Sequence, residues 1–214
     1  MFSTLRTFKR LAVFCSGNGT NFRALYFGIR EQNLPCEIVL CVSNNAQCGA
    51  MKFAHENGIE TLHLTQKNFP SETMFEETLV SVLRERNIDF ILLAGYMKKI
   101  PANIIAAFEK KILNIHPALL PKYGGDGMFG MNVHRAVIAN NETISGATVH
   151  FVNEEYDEGE ILLQRTVDIL PNETPESLAE KVLRIEHQIY VEALSRLLVC
   201  FFCNVSLVLF SMFC

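Results

Sequence analysis

The chain has 214 residues, 49% of them apolar and 20% charged, with a net charge of −4. That length suits one sizeable core and is short for two domains. The balance is that of a soluble globular protein with no dominant basic surface, so nucleic acid is excluded as a first partner and an anionic ligand needs a local site.

Seven cysteines, at 15, 36, 41, 48, 200, 203 and 214, are odd in number and scattered. The opening "MFSTLRTFKR" has no long apolar stretch of a secretory signal. Its basic, acid-free character faintly suggests a transit peptide, and a frayed terminus is the simpler reading. Cys15, Cys36 and Cys41 read as core thiols of a reducing compartment, which gives a cytoplasmic expectation.

The elements alternate along the chain. "RLAVFC" (10–15) is a short apolar run closed by Ser-Gly, which predicts a buried strand. A helix follows over 21–32, then the strand "EIVLCVS" (37–43). "GAMKFAHENG" (49–58) is a helix ending on Gly58, and "TLHL" (61–64) a third strand. An amphipathic helix runs over 71–86, with Phe75, Leu79, Val82 and Leu83 on one face. "DFILLAG" (89–95) is apolar throughout, as a central parallel strand should be.

A short helix at 102–108 precedes the strand "KILNI" (111–115). The glycine-rich loop "YGGDGMFGMN" (123–132) leads into a helix holding His134 and Arg135. "GATVHFV" (146–152) and "EILLQRTVDI" (160–169) read as strands that pair antiparallel. The last helix spans 174–198, capped by Thr174 with Pro175 at its first position. The alternation predicts an α/β fold: an open, mostly parallel Rossmann-like sheet with helices on both faces. Residues 1–198 are expected to form one domain. Residues 199–214 form an uncharged apolar tail, read as an extra packed element in preference to a membrane contact.

Three stretches can carry chemistry. "SGNGTN" (16–21) joins the first strand to the first helix, where backbone N–H groups suit a phosphate. Phe22 stands where a dinucleotide fingerprint needs its third glycine, and no lysine makes it a P-loop, so a monophosphate fits better. A tight turn without a ligand is the alternative. In "LNIHPALLP" (113–121), Asn114 and His116 are two apart and face one side at the carboxyl edge of a strand. Asn114 can donate to a developing oxyanion, and His116 can hold or pass a proton. The acidic turn "EEYDEGE" (154–160) supplies Asp157, whose charge would raise the His116 pKa and favour imidazolium. A loop cap with a hydrogen-bonded histidine is the alternative here.

Of the other histidines, His55 and His63 read as surface or edge residues and His150 as structural; His134 and His187 stay open. No pair has metal-ligand spacing, and the lone "CFFC" (200–203) supports neither zinc nor redox chemistry.

Taken together, "SGNGTN", "LLAGYMKKI" (92–100), "LNIHPALLPKY" (113–123), "GATVHFV" and "YDEG" (156–159) resemble, in order and spacing, the phosphoribosylglycinamide formyltransferase family over residues 10–198. The resemblance implies transfer of the formyl group of 10-formyltetrahydrofolate, as co-substrate and without a metal, to the amine of glycinamide ribonucleotide through a tetrahedral intermediate. It implies that Asn114, His116 and Asp157 are catalytic and that Gly19, Thr20, Asn21 and Glu186 contact the ribonucleotide. Met97, Lys98, Lys99 and Ile100, with Asn114, would line the folate pocket. It further implies a cis Leu120–Pro121 bond, small-molecule partners and a monomer or homodimer.

The chain departs from the pattern in its long glycine-rich loop, where Asp126 puts a negative charge near an anionic substrate. In "KNFPSETMF" (67–75) only Lys67 could replace a folate-contacting arginine. The tail has no counterpart. The nearest rival, 10-formyltetrahydrofolate hydrolase, carries an additional N-terminal domain and has no use for the phosphate turn. Methionyl-tRNA formyltransferase needs a further C-terminal domain. A non-catalytic folate- or nucleotide-binding protein would not need the Asn/His/Asp set.

Overall fold

The computed structural model describes residues 8–202, and side chains through residue 199. The basic N-terminus, the Cys200–Cys203 pair's side chains, and Asn204 and Ser206 of the tail lie outside those residues.

Seven strands form one sheet: β1 (Lys9–Phe14), β2 (Cys36–Ser43), β3 (Glu60–His63), β4 (Phe90–Leu93), β5 (Ile112–His116), β6 (Ile144–Phe151) and β7 (Ile161–Asp168). Their spatial order is β3-β2-β1-β4-β5-β6-β7. β1 to β5 are mutually parallel, and β6 and β7 each pair antiparallel with the preceding strand. The order reverses between β1 and β4, which opens a crevice beyond their carboxyl ends. β4 occupies the centre of the sheet and is buried at every residue, the reason its sequence is unbroken Phe-Ile-Leu-Leu.

Six helices cover the two faces: α1 (Thr20–Glu31), α2 (Gly49–Glu56), α3 (Glu72–Glu85), α4 (Ala102–Ala107), α5 (Met131–Ala139) and α6 (Pro175–Phe202). Alternation along β1 divides the core. Leu11, Val13 and Cys15 pack with α1, α2, α5 and α6; Ala12 and Phe14 pack with α3 and α4. α3 starts where the Ser71 hydroxyl accepts from the Met74 N–H. α6 starts where Thr174 and Ser177 exchange reciprocal backbone-to-hydroxyl bonds.

The structure refines several expected boundaries. α6 runs on to Phe202, beyond residue 198, and β6 starts at Ile144. A 3-10 turn at Gln66–Asn68, absent from the sequence reading, holds Lys67. Cys15, Cys36, Cys41 and Cys48 are all free and buried. Among the described residues, no helix is long and apolar enough to cross a membrane. The Leu120–Pro121 bond is cis.

Candidate active site

A cleft of about 670 Å³ opens at the carboxyl ends of β1, β4 and β5. Three backbone turns build its floor: Gly17–Asn21 after β1, Gly95–Ile100 after β4, and Asn114–Pro117 at the end of β5. Ser16 ties the first two together: its N–H donates to Gly95 O, its hydroxyl to Asn44 Oδ1, and it accepts from the Met97 N–H. Gly19 ends the first turn at φ 72°, and a Cβ there would stand 2.8 Å from Ala50 Cβ, so only glycine fits.

The polar cluster sits where β5 meets β6. Asn114 lies directly opposite His150 in the antiparallel register. The Asn114 amide nitrogen is 3.1 Å from His150 Nε2 and 3.3 Å from Asp157 Oδ1. His150 Nδ1 donates to Phe151 O at 2.9 Å, leaving Nε2 free to accept from the Asn114 amide. The two amide hydrogens are thus shared between one imidazole and one carboxylate. An ionised carboxylate requires the NH2 group on that side, which fixes the orientation of the Asn114 amide.

Asp157 reaches the cluster from a turn that it enters at φ 58°, a left-handed conformation that aspartate tolerates. Its Oδ2 accepts from the Gly125 N–H at 3.0 Å and lies 3.4 Å from His116 Nδ1. His116 Nε2 donates to Tyr123 O at 2.7 Å. A buried network holds the segment between: Thr148 Oγ1 donates to Ala118 O and accepts from the Leu120 N–H, and Gln164 Nε2 donates to Leu120 O.

Electrostatics here correct one expectation. The His116 pKa is lowered, because burial of the ring outweighs the upward pull of the Asp157 charge and the Tyr123 carbonyl. Asp157 acts in the expected direction but does not win. Burial also pushes the Asp157 carboxyl up, yet the neighbouring His150 and His116 rings and the Gly125 N–H together hold it below the usual range. The Gly125 N–H and the Asn114 amide both donate to the carboxylate, whatever the protonation of the neighbouring rings.

At the other end of the cleft, the Asn21 amide donates to Glu186 Oε2 at 2.6 Å, with both side chains buried. Burial raises the Glu186 pKa, partly offset by that bond. Asn21 Oδ1 and His134 Nδ1 are buried without a partner among the described residues, and both residues line the cleft. Among the described residues no group of three His, Cys, Asp or Glu side chains is placed to hold a metal.

The sequence matches the description "Formyl transferase" over residues 9–194. The chain belongs to the formyl transferase family. It is 49% identical over 185 residues to the chloroplastic phosphoribosylglycinamide formyltransferase of Arabidopsis thaliana, covering 86% of this chain and 63% of that relative. It therefore spans less than two thirds of that plant relative. Glycinamide ribonucleotide transformylase 1 from Symbiobacterium toebii superposes with a TM-score of 0.84 at 34% identity, covering 91% of this chain and 90% of that one. Phosphoribosylglycinamide formyltransferase from Brucella melitensis gives 0.82 at 37%, covering 89% and 95%.

In this formyl transferase the cleft gathers Asn114, His116, Asp157, Gly19, Thr20, Asn21, Glu186, Met97, Lys98, Lys99 and Ile100, every site residue expected from the sequence. Lys67 is not among the residues that line the cleft; Lys98 and Lys99 are. Asp126 does line the cleft, and among the described residues no hydrogen bond or ion pair engages its carboxylate. His150, read as structural, is buried and hydrogen-bonded but stands inside the cluster. Its period-2 position in β6 was visible; the register that sets it against Asn114 was not. A second groove of about 620 Å³ between α1 and α6 holds the Arg165–Glu192–Arg196 ion pairs and none of this chemistry.

Proposed function

We propose that the protein transfers the formyl group of 10-formyltetrahydrofolate to the primary amine of glycinamide ribonucleotide, a step of de novo purine synthesis. The observation that carries this reading is that the Asn114–His116–Asp157 cluster shares one cleft with the helix-opening turn Gly17–Asn21. A hydrolase acting on the formyl donor alone has no use for that turn. The relatives that bear the transferase name support the same choice.

The turn and the start of α1 offer N–H groups to the ribonucleotide phosphate. Glu186, held by Asn21, faces the rest of that substrate. Met97 and Ile100 supply apolar wall for the folate, and Lys98 and Lys99 meet its carboxylates. The residues present fit a formyl-carrying folate, which supplies the electrophilic carbon when bound.

Attack by an amine generates an anionic oxygen and an excess proton. Asn114 donates to that oxygen by exchanging one of its two present acceptors, His150 Nε2 or Asp157 Oδ1. His116 Nε2 is engaged by the Tyr123 carbonyl and Nδ1 faces the Asp157 carboxylate, so the ring's route to a substrate is exchange of the Tyr123 carbonyl. A proton arriving on the ring would be stabilised by Asp157 at Nδ1. The amine must be neutral to attack, so turnover fades as pH falls. The four buried free thiols fit a reducing compartment such as the cytoplasm.

The test follows loss of the formyl group with and without glycinamide ribonucleotide. Turnover that requires the ribonucleotide is the expected result. Formate release without it would replace the transferase by the hydrolase.

A further inference from the structure

The sequence contains two Asn-Gly pairs, Asn18–Gly19 and Asn57–Gly58. In such a pair the glycine nitrogen can attack the asparagine side chain, since no Cβ shields it. The fold treats the two pairs differently. Asn57 closes α2: its amide donates to Phe53 O at 2.8 Å, and the Gly58 N–H donates to His55 O at 3.2 Å. Both reacting groups are therefore held apart by partners.

Asn18 lies exposed in the irregular turn between β1 and α1. Among the described residues no hydrogen bond engages its side chain or the Gly19 N–H. The glycine cannot be exchanged for a shielding residue, because its φ of 72° and the approach to Ala50 demand it. The geometry that builds the turn is also the one that leaves Asn18 open to attack.

We propose that Asn18–Gly19 is a site of spontaneous deamidation, and that conversion impairs anion binding by this turn. The Gly19 nitrogen attacks Asn18 Cγ and gives its proton to solvent base. The bond from Cγ to the side-chain nitrogen breaks, and ammonia leaves with a proton from water. A cyclic imide remains. Water then adds at either imide carbonyl and opens the ring to aspartate or to an iso-linked aspartate. Water is the only co-reactant, and no atom changes oxidation state.

Either product places a carboxylate among N–H groups that suit a phosphate, where like charges repel. The iso-linked product also lengthens the backbone by one carbon. That backbone runs close to the start of α2: a Cβ added to Gly49 would stand 3.0 and 3.1 Å from the Asn18 carbonyl oxygen and Cα. The effect on binding rests on the ribonucleotide reading above; the chemistry at Asn18 does not. A bound anion would engage the turn and slow conversion.

The experiment ages the purified full chain for days at mildly alkaline pH, with and without inorganic phosphate. Peptide mapping by mass spectrometry then quantifies aspartate and iso-aspartate at both pairs, and ribonucleotide kinetics are measured on the same samples and on Asn18→Asp. The expected result is faster conversion at Asn18 than at Asn57, slowed by phosphate, with the ribonucleotide KM raised by at least about tenfold. Conversion at Asn18 no faster than at Asn57 overturns the site. Conversion with unchanged KM overturns its link to anion binding. Conversion at Asn18 in a protein without ribonucleotide-dependent transfer supports the site while removing the proposed function.

Discussion

Asp157 Oδ2 lies 3.4 Å from His116 Nδ1, yet the histidine titrates below its ordinary range because the ring is buried. The carboxylate limits a shift that burial dominates. Asp157→Asn removes the group that favours imidazolium, so the His116 pKa should fall further. Histidine-resolved NMR titration of the two proteins checks this. An unchanged midpoint would mean that the pair is not electrostatically linked.

The same shift has consequences for stability. His116, His134 and His187 all have lowered pKa values, with burial as the first cause. For such groups the unfolded chain binds more protons. Their contribution is fully present above the unfolded pKa, near 6.5, and is lost as pH falls through it. Glu186, raised by burial, works oppositely: its contribution is present at low pH and lost as pH rises through its folded pKa. Urea midpoints should therefore drop between about pH 8 and about pH 5.5. His116→Asn should flatten part of that slope.

Under the proposed function, Asn114→Ala removes an oxyanion donor. It should lower kcat roughly 100–1,000-fold while changing thermal stability little. Asp157→Ala should also lower the rate far more than it unfolds the protein. Near-normal turnover in either variant would overturn the catalytic assignment.

Gly159 has no room for a side chain, since an added Cβ would stand 1.7 Å from Phe151 O. Gly159→Ala must move the turn that carries Asp157. A stability loss of about 3 kcal/mol is expected in urea denaturation. Turnover should fall with it; a stable, active variant would show that the turn can shift freely.

Tyr190 joins α6 to the sheet. Its buried hydroxyl lies 3.1 Å from both Leu93 O and Leu113 O, the latter one residue before Asn114. One hydrogen serves the two carbonyls. Tyr190→Phe leaves them less satisfied and should cost about 1–2 kcal/mol, read from the urea midpoint at constant m.

Much of the architecture was legible because it follows from local rules. Apolar runs named β1, β2 and β4, and Ser71 and Thr174 marked the starts of α3 and α6. The turn Ser16–Asn21 and the Asn114/His116 pair stood out because each ends a strand. The 3-10 turn at Gln66–Asn68 escaped, as three residues carry too little periodicity to signal it.

The sequence by itself determined the order of strands and helices, the family pattern and the residues able to do chemistry, since these depend on neighbours along the chain. Tertiary structure alone decided that His150 stands opposite Asn114, that Lys67 does not line the cleft, and that His116 titrates low despite Asp157. Strand register is set by pairing between distant segments, and a buried group's pKa by the water that packing removes. Neither quantity exists until the sheet has closed around the site.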